Sequence, residues 1–319
     1  MSGALEMHPG DASPLGRARL ALEGLSIGDA FGERFFGSPS VVLPLIATHE
    51  LPEAPWHWTD DTAMALSVYE CLRDDGRIDR DVLARRFADR YRRDPGRGYG
   101  GTAHGILHAI GLGAPWREVA GAAFGGQGSM GNGSAMRVAP VGGYYADDLE
   151  LTAHHASASA EPTHAHPDAR AGAIAVSIAC AVAWQMGRGD RPLSGEALLQ
   201  EVLARTPGGP TRDGVEKATL LPLEYDPRTA VAALGNGSLV ISSDTVPFSL
   251  WCAARHLTSF EAALWTTVSG LGDRDTTCAI VGGIVALAVG HANIPWQFAA
   301  AREPLESQLK GGDWQRSPS

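Results

Sequence analysis

The sequence predicts an all-α fold in a single large domain, on three observations. Alanine is abundant and clusters of β-branched residues are few, which favours helix in most segments. Several segments repeat apolar residues at helical spacing. No regular alternation of strand-like and helix-like segments runs along the chain, so a doubly wound sheet has no support. With 319 residues the chain can bury a sizeable core, and 44% hydrophobic against 19% charged residues mark it as globular rather than disordered.

The first helix covers Gly24–Gly32, where Gly24, Gly28 and Gly32 at i, i+4 and i+8 form one smooth face suited to close packing. Asp29 is its odd residue, either a structural hydrogen-bond acceptor or an outer support for a neighbouring ligand. Asp61–Arg73 puts Met64, Val68, Cys71 and Leu72 on one face, and Asp79–Arg93 sets Leu83, Phe87 and Tyr91 opposite arginines and aspartates. Glu118–Phe124 reads as helix or loop rather than strand. Pro167 opens an apolar run to Met186 that reads as a buried helix with proline near its first turn. Thr276–Val289 is similar, provided that a neighbour packs closely at Gly282 and Gly283. The glycine-rich pieces Gly96–Gly101, Gly125–Gly133 and Pro207–Gly214 are expected to be loops and carry no composition break that would divide the chain. The domain is expected to span residues 15–305, with flexible termini at 1–14 and 306–319.

A net charge of −10 argues against broad non-specific nucleic-acid binding, which needs a basic field. The longest apolar stretches, Ala171–Met186 and Thr277–Gly290, are shorter than a bilayer span, so no membrane partner is expected. No charged-then-apolar leader opens the chain, and Cys71, Cys180, Cys252 and Cys278 form no C-x-x-C pair. A reducing cytoplasm is therefore expected, without a disulfide framework or a cysteine zinc site. The expectation is a monomeric cytoplasmic enzyme or ligand binder.

Three groups of residues could carry chemistry. Thr59-Asp60-Asp61-Thr62 precedes one apolar helix and Asp273-Arg274-Asp275-Thr276 precedes another. Each alone reads as a cap with acids that complement the helix dipole. Brought together, the two would make an all-oxygen site suited to hard cations such as Mg²⁺ or Mn²⁺, and a cation would offset the cost of crowding the acids. Gly126–Gly131 is a literal G-x-G-x-x-G, but without a preceding strand the dinucleotide reading fails. The wider run Gly128–Arg137 either turns a corner or cradles a pyrophosphate on its backbone N–H groups, with Asn132 and Ser134 as side-chain donors. His154, His155, His164 and His166 lack zinc spacing and read as surface or hydrogen-bonding histidines. Cys278 and Met130 read as core or pocket lining, and Trp56 and Trp58 as core or as a wall for ring stacking.

In this order, Gly28-Asp29-Ala30-Phe31-Gly32, Thr59-Asp60-Asp61-Thr62, Gly131-Asn132-Gly133-Ser134-Ala135-Met136-Arg137 and Asp273-Arg274-Asp275-Thr276 resemble the ADP-ribosylglycohydrolase family. The resemblance covers about Leu20 to Gly290. It implies an orthogonal helical bundle with a cleft holding two divalent cations, Mg²⁺ or Mn²⁺. It implies Thr59, Asp60, Asp61 and Asp275 as ligands of one ion, and Asp273, Asp275 and Thr276 as ligands of the other. Ser129, Met130, Gly131, Asn132, Gly133 and Ser134 would hold a diphosphate, with His164 near the phosphates or ribose. Asp60, Asp61, Asp275 and Glu33 would carry catalysis.

Three departures stand out. Leu271-Gly272 replaces the usual glycine pair, Arg274 replaces a small residue, and Phe36 occupies the place of the family's glutamate, with Glu33 one turn earlier as its candidate substitute. The implied activity is metal-dependent hydrolysis of the glycosidic bond between ADP-ribose and an acceptor, with ADP-ribose and an ADP-ribosylated substrate as partners. The competing expectations are a non-catalytic ADP-ribose reader or crystallin-like relative, and a phosphohydrolase acting on the pyrophosphate. Acceptor contacts are expected on rims such as Asp94–Gly101 and Pro207–Gly214.

Overall fold

A computed structural model describes residues 9–305 of the chain. Among the described residues there are sixteen α-helices and no β-sheet, only isolated bridges between Trp56 and Arg302 and between Gly131 and Ile241. The first half comprises α1 (Pro14–Glu33), α2 (Pro39–Thr48), α3 (Asp60–Asp75), α4 (Arg80–Arg93), α5 (Gly101–Gly111), α6 (Trp116–Gly126), α7 (Ala139–Tyr144) and α8 (Leu149–Ala160). The second comprises α9 (Pro167–Gly187), α10 (Gly195–Arg205), α11 (Pro210–Leu220), α12 (Pro227–Leu234), α13 (Ser242–Arg255), α14 (Phe260–Ser269), α15 (Arg274–Val289) and α16 (Trp296–Ala301).

The α1–α15 pair is the most extensive helix contact among the described residues; α1 also packs on α7 and α3, and α15 on α9, α14 and α13. Its glycines explain the closeness. A Cβ on Gly24 would lie 2.3 Å from the Gly282 carbonyl oxygen, one on Gly28 2.0 Å from that of Cys278, and one on Gly32 2.2 Å from that of Arg274. Gly282 meets the Gly24 carbonyl in return, and Gly283 faces Ala139 of α7. Close packing thus meets the condition that the sequence set for the last apolar helix.

Helix starts follow local chemistry. Thr59 caps α3 and Asp79 caps α4, each through its side chain, and proline opens α9 behind the His166 cap. In α6 the helical path breaks at Ala123–Gly125, where Phe124 takes a positive φ of 51°. Both the helix and the loop foreseen for that segment are present.

Three expectations need correction. Pro9–Ala12 forms a 3-10 turn and α1 already starts at Pro14, because the buried Arg17 guanidinium holds the carbonyls of Ala12, Gly143 and Tyr144. The remaining parts of the expected flexible ends, residues 1–8 and 306–319, lie outside the described residues. Pro210–Gly214 is the start of α11 rather than loop, with proline in its first turn. Finally, α9 has 21 residues and is long and apolar enough to cross a membrane, but nearly all of its apolar length is buried inside the molecule. It is packed as a core helix.

Candidate active site

The close approach of α1 to α15 carries Asp29 to the N-terminal ends of α3 and α15. Carboxylate oxygens of Asp29, Asp61 and Asp275 lie within 4.8 Å of one another. Asp29 is completely buried and accepts from the backbone N–H groups of Thr59 and Thr62, at 3.0 Å each, and from both threonine hydroxyls. Its oxygens are therefore occupied. Of the two roles open to it, that of structural acceptor is fulfilled: Asp29 caps α3 from the outside and supports Asp61.

Thr59 Oγ1 sits 2.9 Å from Asp29 and 3.1 Å from Asp61 Oδ2, whereas Asp61 Oδ1 is buried with no hydrogen-bond partner. An orphaned buried carboxylate oxygen among other carboxylates is costly unless a cation faces it. Burial pushes the carboxyls of Asp60, Asp61 and Asp275 above the usual range, and like charges add to it: Asp29 acts on Asp60, and Asp275 and Asp29 on Asp61. Asp273 is also pushed up by burial, while Asn132 Nδ2, 2.7 Å from its Oδ2, works against that rise. All the donors are carboxylate or hydroxyl oxygens. This set fits hard divalent cations.

A cleft of about 490 Å³ opens over this cluster. Asp60, Asp61, Asp273, Asp275 and Thr276 line its acidic end, and Ser129–Gly133 and His164 line its wall. The glycine loop is fixed by a short ladder: Asn132 N donates to Val240 O, Ser242 N to Met130 O, and Ser242 Oγ to Gly131 O. The 3-10 turn Asn132–Ser134 then leaves the Gly133 N–H, at its N-terminal end, without an acceptor inside the turn. A Cβ on Gly133 would lie 2.8 Å from the His164 ring. Glycine is therefore required there by the imidazole as well as by any bound anion.

The structure departs from the expected side-chain roles at two loop positions. Ser134 is fully buried and donates to Ala169 O, so its hydroxyl serves the start of α9 and does not reach the cleft. Asn132 spends its amide on Asp273 and Thr245, and so orients an acid rather than a phosphate. His166 caps α9, and His155 stacks on Tyr145 at 4.4 Å. Trp56 belongs to the core, and Trp58 is covered by the Arg97 guanidinium at 3.6 Å, so neither offers a free ring face. Cys278 is core, and Met130 lines the cleft.

The rims differ in the same way. Gly98 and Gly100–Ala103 line the cleft, but Pro207–Gly214 does not; Thr211 N instead donates to Asp168 in the first turn of α9. The opposite rim is Leu239–Ile241 together with Phe124. Leu239, Val240 and Phe124 are exposed apolar residues, and both Phe124 and Val240 have positive φ. The sequence reading missed them, and exposed apolar residues beside glycine or asparagine were the one available signal.

Glu33 ends α1 and lines a second recess of about 370 Å³, with Phe36, His57, Thr59, Gly98 and Asp275. Gly98 and Asp275 border both openings, so the acidic cluster is reached from two sides. Partial burial, then the Asp29 charge, raises the Glu33 carboxyl above its ordinary range. The helix ends at Glu33, so Phe36 is not on its face; it is exposed, with the Arg274 guanidinium over its ring at 5.1 Å. Two of the departures from the family pattern thus touch each other. The third, Leu271, has a φ of 58°, in the region that glycine occupies without strain.

Residues 11–314 match the family model described as ADP-ribosylglycohydrolase. The chain is 30% identical to the ADP-ribosylhydrolase ARH3 of Homo sapiens, with 90% of each chain covered. It is 24% identical to the ADP-ribosylarginine hydrolase Tri1 of Serratia proteamaculans, covering 89% of this chain and 75% of that one. A solved structure titled ADP-ribosylglycohydrolase-related protein complex superposes with a TM-score of 0.68 at 25% identity, over 93% of this chain and 95% of that one.

Proposed function

Because the chain belongs to the ADP-ribosylglycohydrolase family and is a hydrolase of ADP-ribose linkages, we propose that it cleaves the glycosidic bond between ADP-ribose and its acceptor with the help of divalent cations. The carrying observation is the buried cluster of Asp29, Asp61 and Asp275, with an orphaned Asp61 oxygen, at the end of a cleft walled by a glycine loop. Thr59, Asp60, Asp61, Asp273, Asp275 and Thr276 would hold two cations, with Asp29 bracing them from behind. Mg²⁺ or Mn²⁺ bound there would supply Lewis-acid polarisation and a fixed seat for ribose hydroxyls.

The protein's own groups do the rest. The backbone of Ser129–Gly133 and the His164 ring take the diphosphate, which aligns the ribose with the acids. Cleavage builds positive charge on the sugar ring, and the carboxylates of Asp60, Asp61 and Asp275 stabilise it. The exposed Phe124 ring suits a flat base at the far end. Glu33 reaches the cluster from the second recess and is the remaining carboxylate, acting directly or through a water.

The test is release of ADP-ribose from a panel of ADP-ribosylated arginine, serine and nucleic-acid substrates with Mg²⁺ or Mn²⁺ present. Free ADP-ribose, lost with chelator and with Asp275→Asn, is the expected result. AMP as product, with a phosphoribosyl group left on the acceptor, would assign the enzyme to the pyrophosphate instead.

A further inference from the structure

His164 and Arg137 come from separate motifs, and a single hydroxyl joins them. Arg137 is fully buried beneath the cleft, with its guanidinium 4.3 Å from the Phe87 ring. Its Nη2 donates to Ser159 O at 2.7 Å and to Thr163 Oγ1 at 2.9 Å. A guanidinium has only donors, so Thr163 accepts at this contact and keeps its own proton for another partner. The other partner of that hydroxyl among the described residues is His164 Nδ1, 2.7 Å away. If Nδ1 carried the proton, Thr163 would face two donors and leave its O–H without an acceptor in a site that is 1% exposed. Nδ1 is therefore the acceptor.

We propose that Thr163, held by Arg137, is a positioning residue that fixes His164 in the tautomer protonated on Nε2, so that the ring offers an N–H donor to an anion on the glycine loop. Nε2 has no protein partner among the described residues and faces Gly131 and Gly133, where Cβ atoms would stand 3.2 and 3.0 Å from it. The bare glycines leave that nitrogen open to the cleft. Burial and the Arg137 charge also keep the ring neutral, its pKa pushed down to about 3. Binding therefore depends on a fixed N–H dipole rather than on an imidazolium charge. The identity of the anion rests on the reading that a diphosphate occupies this wall.

Long-range ¹⁵N–¹H correlation spectra of the full-length labelled protein test the tautomer directly, with the His164 signals assigned by their loss in His164→Gln. The wild type should show a neutral ring protonated at Nε2 from pH 5.5 to 8. Thr163→Val should shift the ring toward a tautomer mixture and raise the ADP-ribose dissociation constant about tenfold, and Thr163→Ser should restore both. A wild-type ring protonated at Nδ1, or a Thr163→Val spectrum identical to that of the wild type, would overturn the proposal. Failure of the wild type to bind ADP-ribose, with the Nε2 tautomer intact, would count against the functional reading alone.

Discussion

Asp61 bears the conflict of the site most plainly, since one of its oxygens is buried without a partner while four other aspartates raise its proton affinity. Asp61→Asn should therefore do opposite things to folding and function. In chelator at pH 8 it should melt at a higher temperature than wild type, because an acid held at a cost by burial and neighbouring carboxylates is gone. Its turnover should fall by more than about a hundredfold, and the rise in its melting point on adding Mn²⁺ should shrink. Calorimetric titration of Mn²⁺ tests Glu33 in the same spirit: Glu33→Gln should weaken one of two binding events and leave the other intact, and two unchanged steps with unchanged turnover would remove Glu33 from the site.

The acids were legible in the sequence because they come in compact, repeated knots ahead of apolar helices. The work of Asn132 and Ser134 was not. A side chain's partner across 141 residues, as for Asn132 and Asp273, depends on tertiary approach that no local spacing encodes.

Helix by helix, the glycine stripe of α1 was the clearest sequence signal, because its i, i+4 and i+8 spacing has few other uses. The structure shows how little room it leaves. In Gly28→Ala the new Cβ would meet backbone atoms of Cys278 and Ala279, which cannot swing aside as a side chain can. The variant should lose stability by about 3 kcal/mol or more, at the upper end of overpacking effects, and its denaturant midpoint should fall accordingly. Metal binding should weaken with it, since the same contact carries Asp29 to Thr59 and Thr62. Gly133→Val is a more local test: its side chain would displace the His164 ring, and the melting-point rise given by ADP-ribose should shrink while the fold persists. The start of α11 and the early start of α1 escaped the sequence reading because proline and glycine there punctuate a helix N-terminus as readily as a loop.

For the molecule as a whole, the raised carboxyls make stability a function of pH and cation together. Without a cation the Asp29 carboxyl stands at about 6 and that of Asp60 at about 8, both mainly through burial, against about 3.9 in an unfolded chain. Their protonated forms favour the folded state, so that contribution is full below about pH 4 and is lost as pH rises through 6 and then 8. In chelator the melting temperature should fall between pH 5.5 and 8.5. With Mg²⁺ or Mn²⁺ the fall should flatten, and binding should release protons to the buffer. A chelator profile that stays level over this window would mean that these acids are not in conflict in the folded chain.

The bridge at Trp56 ties residues 301–303 to the strip ahead of α3. Trp56 N donates to Ala301 O, Glu303 N donates to Trp56 O, and the Glu303 carboxylate grips Arg97, whose own carbonyl accepts from Asp60 N. The strip that leads into the first acidic knot is thus fastened by residues 301–303, while Asp275 arrives from α15. On the ribosome, α3 is synthesised more than two hundred residues before its fastening exists. A nascent chain arrested before residue 300 should therefore bind Mn²⁺ more weakly at this site, however much helix it has formed, and the site should tighten only once residues 301–303 have emerged.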